Sequence, residues 1–201
     1  MPKSVLQFRQ ILAWLMTEVM FGRAHFSMTR SMGRRDRTLI RDAIPGFFNL
    51  TLGAHADCAQ LAAARIFDKT GDASIHTLIS SALKEASNFK YGTPSEVRKA
   101  VDEARATVAV LSPVVTAVRL RRNKTMAHID ASPIMEPGKY MQAGRISYGD
   151  IQGLFNQVEV VLNRFSVLYR GVSVPLELEE AKTYEQALDL IAEAIRAKSG
   201  P

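Results

Sequence analysis

Residues 147–169, SYGDIQGLFNQVEVVLNRFSVLY, form the clearest helical pattern in the chain. Their apolar residues recur every three or four positions, which places them on one face of an α-helix. These residues are Ile151, Leu154, Phe155, Val158, Val161, Leu162, Phe165 and Leu168. Ser147 and Asp150 resemble a capping box with Asp in place of the usual Glu, and they predict where the helix begins. A helix with one long apolar face needs other elements to cover that face.

The remaining apolar patterns also have helical spacing, so the sequence predicts an all-α fold. We expect an antiparallel helical bundle with a four-helix core and additional helices. The other predicted helices span about 4–32, 47–67, 74–89, 94–111, 114–127 and 183–198. Pro113 is expected to kink or interrupt the chain between two of them. We expect one domain over 1–201, with a core of about 5–171 and a C-terminal helix at its periphery.

The composition limits the class of protein. The chain has 201 residues, 47% of them hydrophobic, which is enough for one sizeable core. A single cysteine, Cys58, gives no intramolecular disulfide and fits a reducing cytoplasm. We expect no signal peptide and no membrane-spanning segment. The net charge of +6 favours a polyanionic partner, without choosing between RNA, DNA and an acidic protein.

The chain becomes basic after its first predicted helix. Arg30, Arg34, Arg37 and Arg41 would share one face if that helix continued, although Gly33 makes continuation doubtful. These arginines, with Arg35, form either a solvated surface or a track for phosphates, which guanidinium groups bind through a planar fork. Both interpretations stay open at this point.

The most unusual stretch is RLRRNKTMAHID, residues 119–130. Val115, Val118, Met126 and Ile129 would line one helix face, and Arg122 falls in the middle of that face. Arginine is seldom fully buried unless it is paired, so the pattern predicts a partner or a solvated cleft at this position.

Arg122 and His128 lie six positions apart, which leaves their side chains about 120° apart on an ideal helix. They converge only if the helix loosens near its end or if a second subunit contributes. A loop of about 129–146 follows and either covers a substrate or simply connects two helices. Its residues Lys139, Tyr140 and Arg145 are candidates for phosphate or base contacts.

The string from Arg122 to Asp130 resembles the signature of the HEPN superfamily (higher eukaryotes and prokaryotes nucleotide-binding domain), in which an arginine and a polar residue precede a histidine. It is most similar to the abortive-infection branch. The stretch FFNLTL, residues 47–52, has the look of the same branch. The core motif covers seven residues, and the helical pattern extends the resemblance over most of 5–171.

The resemblance implies an all-helical bundle that dimerises and acts as a metal-independent ribonuclease in toxin, phage-defence or RNA-processing systems. Carried over by position, Arg122 and His128 would be catalytic and Asn123 would support them. Arg119, Arg121 and Lys124 would bind flanking phosphates, and Arg34 and Arg35 are further candidates. It also implies RNA as substrate, a homodimer with the site near the interface, an antitoxin or defence-system partner, and no cofactor. Some members of the superfamily lack activity.

The chemistry agrees with this residue set. A histidine that titrates near neutrality can move the proton of a 2′-hydroxyl, and an arginine can neutralise charge on the phosphate. No set of Cys and His residues has metal-ligand spacing. Three alternatives remain: a solvated helix end, a helical protein that binds RNA or a partner without cutting, and a DNA-binding protein.

Overall fold

The computed structural model describes residues 7–123 and 146–199, and within these ranges the chain is helical with no strand. The α-helices are α1 (Phe8–Met32), α2 (Thr38–Ala43), α3 (Pro45–Ile66), α4 (Ile75–Lys84), α5 (Pro94–Val110), α6 (Ser112–Arg121), α7 (Tyr148–Arg170) and α8 (Glu180–Ser199). Short 3₁₀ turns occupy Arg35–Arg37 and Ala86–Asn88. The predicted all-α helical bundle is therefore confirmed.

The starts of the helices follow the capping chemistry of the sequence. Ser147 Oγ accepts the Asp150 amide proton at 3.1 Å, and Asp150 Oδ2 accepts the Ser147 amide proton at 2.8 Å. Hydrogen bonds that the Ser147 amide and hydroxyl donate to Asp150 Oδ2 lower the pKa of the Asp150 carboxyl. Thr93 and Glu96 form the same reciprocal pair at the start of α5. Each pair satisfies backbone donors that the first helical turn leaves free.

Some predicted boundaries were wrong. The first helix begins at Phe8 with Gln7 as its cap, rather than near residue 4. The last helix begins at Glu180 rather than near Thr183. The interruption at Pro113 is confirmed, since α5 ends at Val110 and α6 starts at Ser112. Regular α6 ends at Arg121, and the predicted end near Ala127 lies outside the described residues.

The main core lies among α1, α3, α4, α5, α6 and α7. Four aromatic rings form its centre at the start of α1. The ring of Phe8 lies 4.8 Å from the ring of Phe89, 5.9 Å from that of Phe165 and 5.1 Å from that of Tyr169, between centroids. Tilted and edge-on arrangements of this kind stabilise a core beyond the burial of apolar area alone.

Helices α1, α3 and α7 approach one another most closely at Gly22. A Cβ atom at this position would lie 2.5 Å from ring carbons of Phe155 and 3.0 Å from the Cβ of Ala62. A side chain larger than hydrogen would therefore push the helices apart. Gly22 sets the spacing of the three helices that surround the cavity described below.

Helix α8 packs on a second, smaller apolar cluster built from Met32, Ile40, Phe48, Leu188 and Ala192. Polar contacts frame this cluster. Arg37 Nη1 donates to Asp189 Oδ1 at 2.7 Å, and Ser31 Oγ donates to Glu185 Oε1 at 2.6 Å. The side chain of Arg37 is only 3% exposed. Arg37 thus holds α8 in place, and the expectation that it belongs to an exposed basic surface is wrong.

Candidate functional site

The arginine-rich stretch begins where the end of α6 meets the end of α3. Arg119 lies on α6, and its Nη2 donates a hydrogen bond to the backbone carbonyl of Phe67, the residue that caps α3. Carbonyl groups at a helix C-terminus carry partial negative charge, which favours a cation there. Arg119 therefore links α6 to α3 and sets the direction of the chain at the end of α6.

Arg122 caps α6 one turn after the buried Val118. Residues 122 and 123 continue in a wider, π-type turn, which is one of the two arrangements that the sequence left open for bringing Arg122 and His128 together. The Arg122 side chain is half-buried, and its Nε donates to Asn123 Oδ1 at 3.0 Å. Asn123 is thus the residue that orients the guanidinium group of Arg122.

Acidic and imidazole groups lie near these arginines. Hydrogen bonds from the Thr70 amide and hydroxyl hold Asp68 Oδ1 at 3.0 and 2.8 Å. Those bonds, and then the charges of Arg119 and Arg122, lower the pKa of the Asp68 carboxyl. Burial, followed by the charges of Lys69 and Arg119, lowers the pKa of His76. At neutral pH an ionised carboxylate and a neutral imidazole therefore lie near the arginines. No sequence pattern indicated that His76 lies here.

Of the other predicted site residues, Arg121 and Arg34 are described, and Lys124 and His128 are not. Arg121 is exposed and lines a cavity between α1, α3 and α7 that is described below. Arg34 is exposed and pairs with Asp36 at 3.0 Å and with Glu185 at 3.7 Å. Lys124, His128 and the predicted loop of 129–146, apart from its last residue, lie outside the described residues.

Arg34 and Arg119 lie at opposite ends of α3. Met32, two residues before Arg34, packs against Phe48 near the start of α3, whereas Arg119 binds Phe67 at its end. At 1.5 Å per residue these ends are roughly 28 Å apart. The structure therefore does not bring Arg34 to Arg119 within one copy of the chain. Arg35 follows Arg34 and begins the 3₁₀ turn, and the roles of both arginines stay predictions.

A cavity of about 590 Å³ opens between the middle of α3, the second half of α1 and the start of α7. Phe26, Leu52 and Ile151 form much of its apolar wall, and Arg121 and Tyr148 lie beside them. The sequence offered no periodic signal for this cavity, because its residues come from four separate segments.

Gln60 lines the same cavity and is 7% exposed. Its Nε2 donates to the Ala56 carbonyl at 3.1 Å, and its Oε1 has no hydrogen-bond partner in the described part of the chain. An amide oxygen in this state costs roughly 1–3 kcal/mol of stability. A buried acceptor without a donor calls for an explanation, and a bound ligand that supplies the missing donor is one.

Two histidines meet between α1 and α3. His25 Nδ1 and His55 Nδ1 lie 2.9 Å apart, so one ring donates and the other accepts. Burial lowers the pKa of both imidazoles, and the charge of His25 lowers that of His55 further. The ring of Tyr184 on α8 packs edge-on against His55, with 5.2 Å between centroids. His25 therefore lies at the contact between α1 and α3.

The histidine pair predicts a loss of stability in acid. Above pH 6.5, the ordinary imidazole value, both rings are neutral in the folded and unfolded chain, and they add no pH dependence. Below pH 6.5 the unfolded chain takes up protons that the folded chain resists, so the free energy of unfolding falls. We expect His55→Gln to reduce that fall, measured by urea denaturation at pH 7.5 and pH 5.5. The lowered pKa of His76 also reduces the free energy of unfolding in acid, so the variant must be compared with the wild type. An equal fall in both proteins would contradict the role of the histidine pair.

Two further findings concern the described residues. No group of three or more Cys, His, Asp or Glu side chains is arranged to hold a metal ion in residues 7–123 and 146–199. Within the same ranges, no helix has both the length and the hydropathy needed to cross a membrane.

The fold and the arginine–asparagine turn define a HEPN-type helical domain. Comparison with family models shows that the chain belongs to the AbiU2 family of HEPN domains, which is associated with abortive infection, and the match covers residues 6–195. The match extends into α8 and ends at residue 195. Neither the curated proteins nor the solved structures contain a match to this chain.

Proposed function

We propose that this protein is a metal-independent endoribonuclease that cleaves RNA phosphodiesters in an abortive-infection or toxin role. The observation that carries the proposal is the half-buried Arg122, oriented by Asn123 at a loosened helix end, in a chain of the AbiU2 family. A guanidinium group held in this way is preorganised for an anion. The family associates the fold with nucleases at a general level.

In the proposed reaction a 2′-hydroxyl loses its proton to a base, and its oxygen forms a bond to the adjacent phosphorus. The bond from phosphorus to the 5′-oxygen then breaks, and that oxygen takes a proton. The products are a 2′,3′-cyclic phosphate and a 5′-hydroxyl. His128 is assigned the proton transfers, and Arg122 neutralises the charge that grows on the phosphate oxygens. Arg119, Arg121 and Lys124 bind flanking phosphates.

We assign the second proton-transfer group to His128 of a second copy, because one imidazole cannot readily serve as acid and base in the same turnover. An unpartnered apolar face on the first half of α3 supports a homodimer. Ile44, Phe47 and Leu50 are 39%, 47% and 76% exposed, and a Cβ at Gly53 would meet nothing within 4 Å. Exposed apolar residues of this size usually mark contact with another protein.

One observation favours a second candidate, a helical protein that binds RNA or a defence-system partner without cutting. Part of the positive charge near the motif is already compensated, since Arg119 binds the Phe67 carbonyl and Asp68 lies close to both arginines. A site of this kind can hold a polyanion without supplying proton transfer.

The test is an assay on total RNA with purified protein in the presence of EDTA. Cleavage that leaves 2′,3′-cyclic phosphate and 5′-hydroxyl ends, detected by end-specific labelling, is expected. Binding without cleavage supports the second candidate. Cleavage that starts only after a divalent cation is added contradicts the proposed mechanism, because no proposed step uses a metal.

A further inference from the structure

The lining of the cavity beside α6 combines apolar, polar and charged surface. Its wall is mostly apolar, its polar groups include the amides of Asn49 and Gln60, and its single charged residue among the described lining is Arg121. The ring of Tyr148 is 54% exposed at the cavity and lies 6.0 Å from the ring of Phe26, between centroids. No carboxylate of the described residues lines it.

These features fit an unpaired nucleobase. A base presents a flat apolar face that stacks on an exposed aromatic ring, and an edge of hydrogen-bonding groups that amides read. The Oε1 of Gln60 lacks a donor, whereas the Nε2 of the same amide is already used by the Ala56 carbonyl. The group that Gln60 needs is therefore an N–H donor. The exocyclic amino groups of adenine, cytosine and guanine offer one at the edge of the base, whereas the N3–H of uracil lies between two carbonyl oxygens that would face the same Oε1.

The position of the cavity agrees with the route of an RNA strand. Arg121 lines it, and the next residue along the chain is Arg122 of the candidate site. Its positive charge suits the phosphate that accompanies a base. Because Arg121 and Arg122 are consecutive in the chain, one RNA strand could place a base in the cavity and a neighbouring phosphate at Arg122.

We propose that this cavity is a base-specificity pocket that takes one unstacked nucleobase with an exocyclic amino group from single-stranded RNA. The inference rests on the proposed function for the identity of the polymer, and it adds the preference for a base. Tyr148 supplies the stacking surface, Gln60 Oε1 accepts a hydrogen bond from the amino group, and Arg121 contacts the backbone.

The test measures binding of four fluorescent tetranucleotides, one for each base, by anisotropy. Each tetranucleotide carries 2′-O-methyl groups, so it cannot be cleaved and binding is read independently of catalysis. We expect at least one of the A, C and G probes to bind several-fold more tightly than the U probe. Tyr148→Ala is expected to weaken binding of the preferred probe by between about 5-fold and 150-fold, which is the range for loss of one stacked base.

Two matched controls make the result interpretable. Tyr91 has the same 54% exposure as Tyr148 and lies between α4 and α5, away from the cavity, so Tyr91→Ala should bind as wild type does. Gln60→Met should lower the affinity for the preferred probe to that for the U probe. Gln157→Met, at an exposed position of α7, should leave both affinities unchanged. Circular dichroism melting confirms that each variant folds.

The outcomes separate the pocket from the nuclease. Equal binding of all four probes, a preference for U, or equal effects of Tyr148→Ala and Tyr91→Ala would overturn the pocket. Base-selective binding in a protein that cuts no RNA would support the pocket and remove the nuclease. Cleavage with unselective binding would do the reverse.

Discussion

Replacing Arg122 with alanine is expected to slow RNA cleavage by at least about a hundredfold. The guanidinium group is held by Asn123 at the end of α6, where it can meet charge that develops on a phosphate. Removing one preorganised donor to such a charge costs about 10²–10³ in rate. The measurement is the single-turnover rate on a short RNA. His128→Ala is expected to reduce the same rate at least as much, because it removes the proposed proton carrier.

Arg98→Ala is the matched control, since Arg98 is an exposed arginine on α5, away from the motif. It should keep the wild-type rate. Arg122→Lys keeps the charge and loses the planar fork, so it should recover only part of the activity. Full activity in Arg122→Ala would remove the residue from the mechanism. A tenfold loss shared by Arg122→Ala and Arg98→Ala would indicate general electrostatic attraction of RNA instead.

Phe8→Ala is expected to give the largest loss of stability, about 3–5 kcal/mol in the free energy of unfolding. Phe8 is fully buried, and its ring contacts three other aromatic rings at the start of α1. Alanine would remove those contacts and leave a cavity that the rigid ends of α1 and α7 cannot fill. Urea denaturation followed by circular dichroism measures the change.

Phe21→Ala provides the comparison on the same helix. Phe21 is 53% exposed, so its truncation should cost less than about 1 kcal/mol. Equal losses at both positions would mean that the aromatic group around Phe8 is not the centre of the core.

Local patterns made much of the fold predictable. The apolar face of α7 and the Ser147–Asp150 cap act within a few residues of one another, so the sequence contains all the information that they need. The start of α1 was placed near residue 4, whereas its cap is Gln7, whose backbone amide donates to Gln10 Oε1. Glutamine is a less common cap than serine, threonine, asparagine or aspartate, so the sequence pattern did not indicate it.

The candidate site was predictable only in part. The sequence indicated that Arg122 needs a partner or a solvated cleft, and in the structure the half-buried Arg122 donates to Asn123 at a widened helix end. The meeting of Arg122 with His128, by a loosened helix or a second subunit, stays a prediction. It could not indicate that Arg119 binds the Phe67 carbonyl, or that His76 lies near the same arginines, because those contacts join segments that are distant in the chain. Arg37 was grouped with the exposed arginines for the same reason, since its partner Asp189 comes 152 residues later.

Helix α8 determines which recombinant fragments of the protein should stay folded and soluble. A recombinant fragment that stops after Gly171 would include every residue of the main core up to Leu168, and it would look complete from the sequence pattern. It would nevertheless lack Leu188 and Ala192, which pack against Met32, Ile40 and Phe48, and it would leave the guanidinium group of Arg37 without its counter-ion Asp189. Such a fragment should be prone to aggregation, so the last twenty residues of helix belong in any expressed form of the protein.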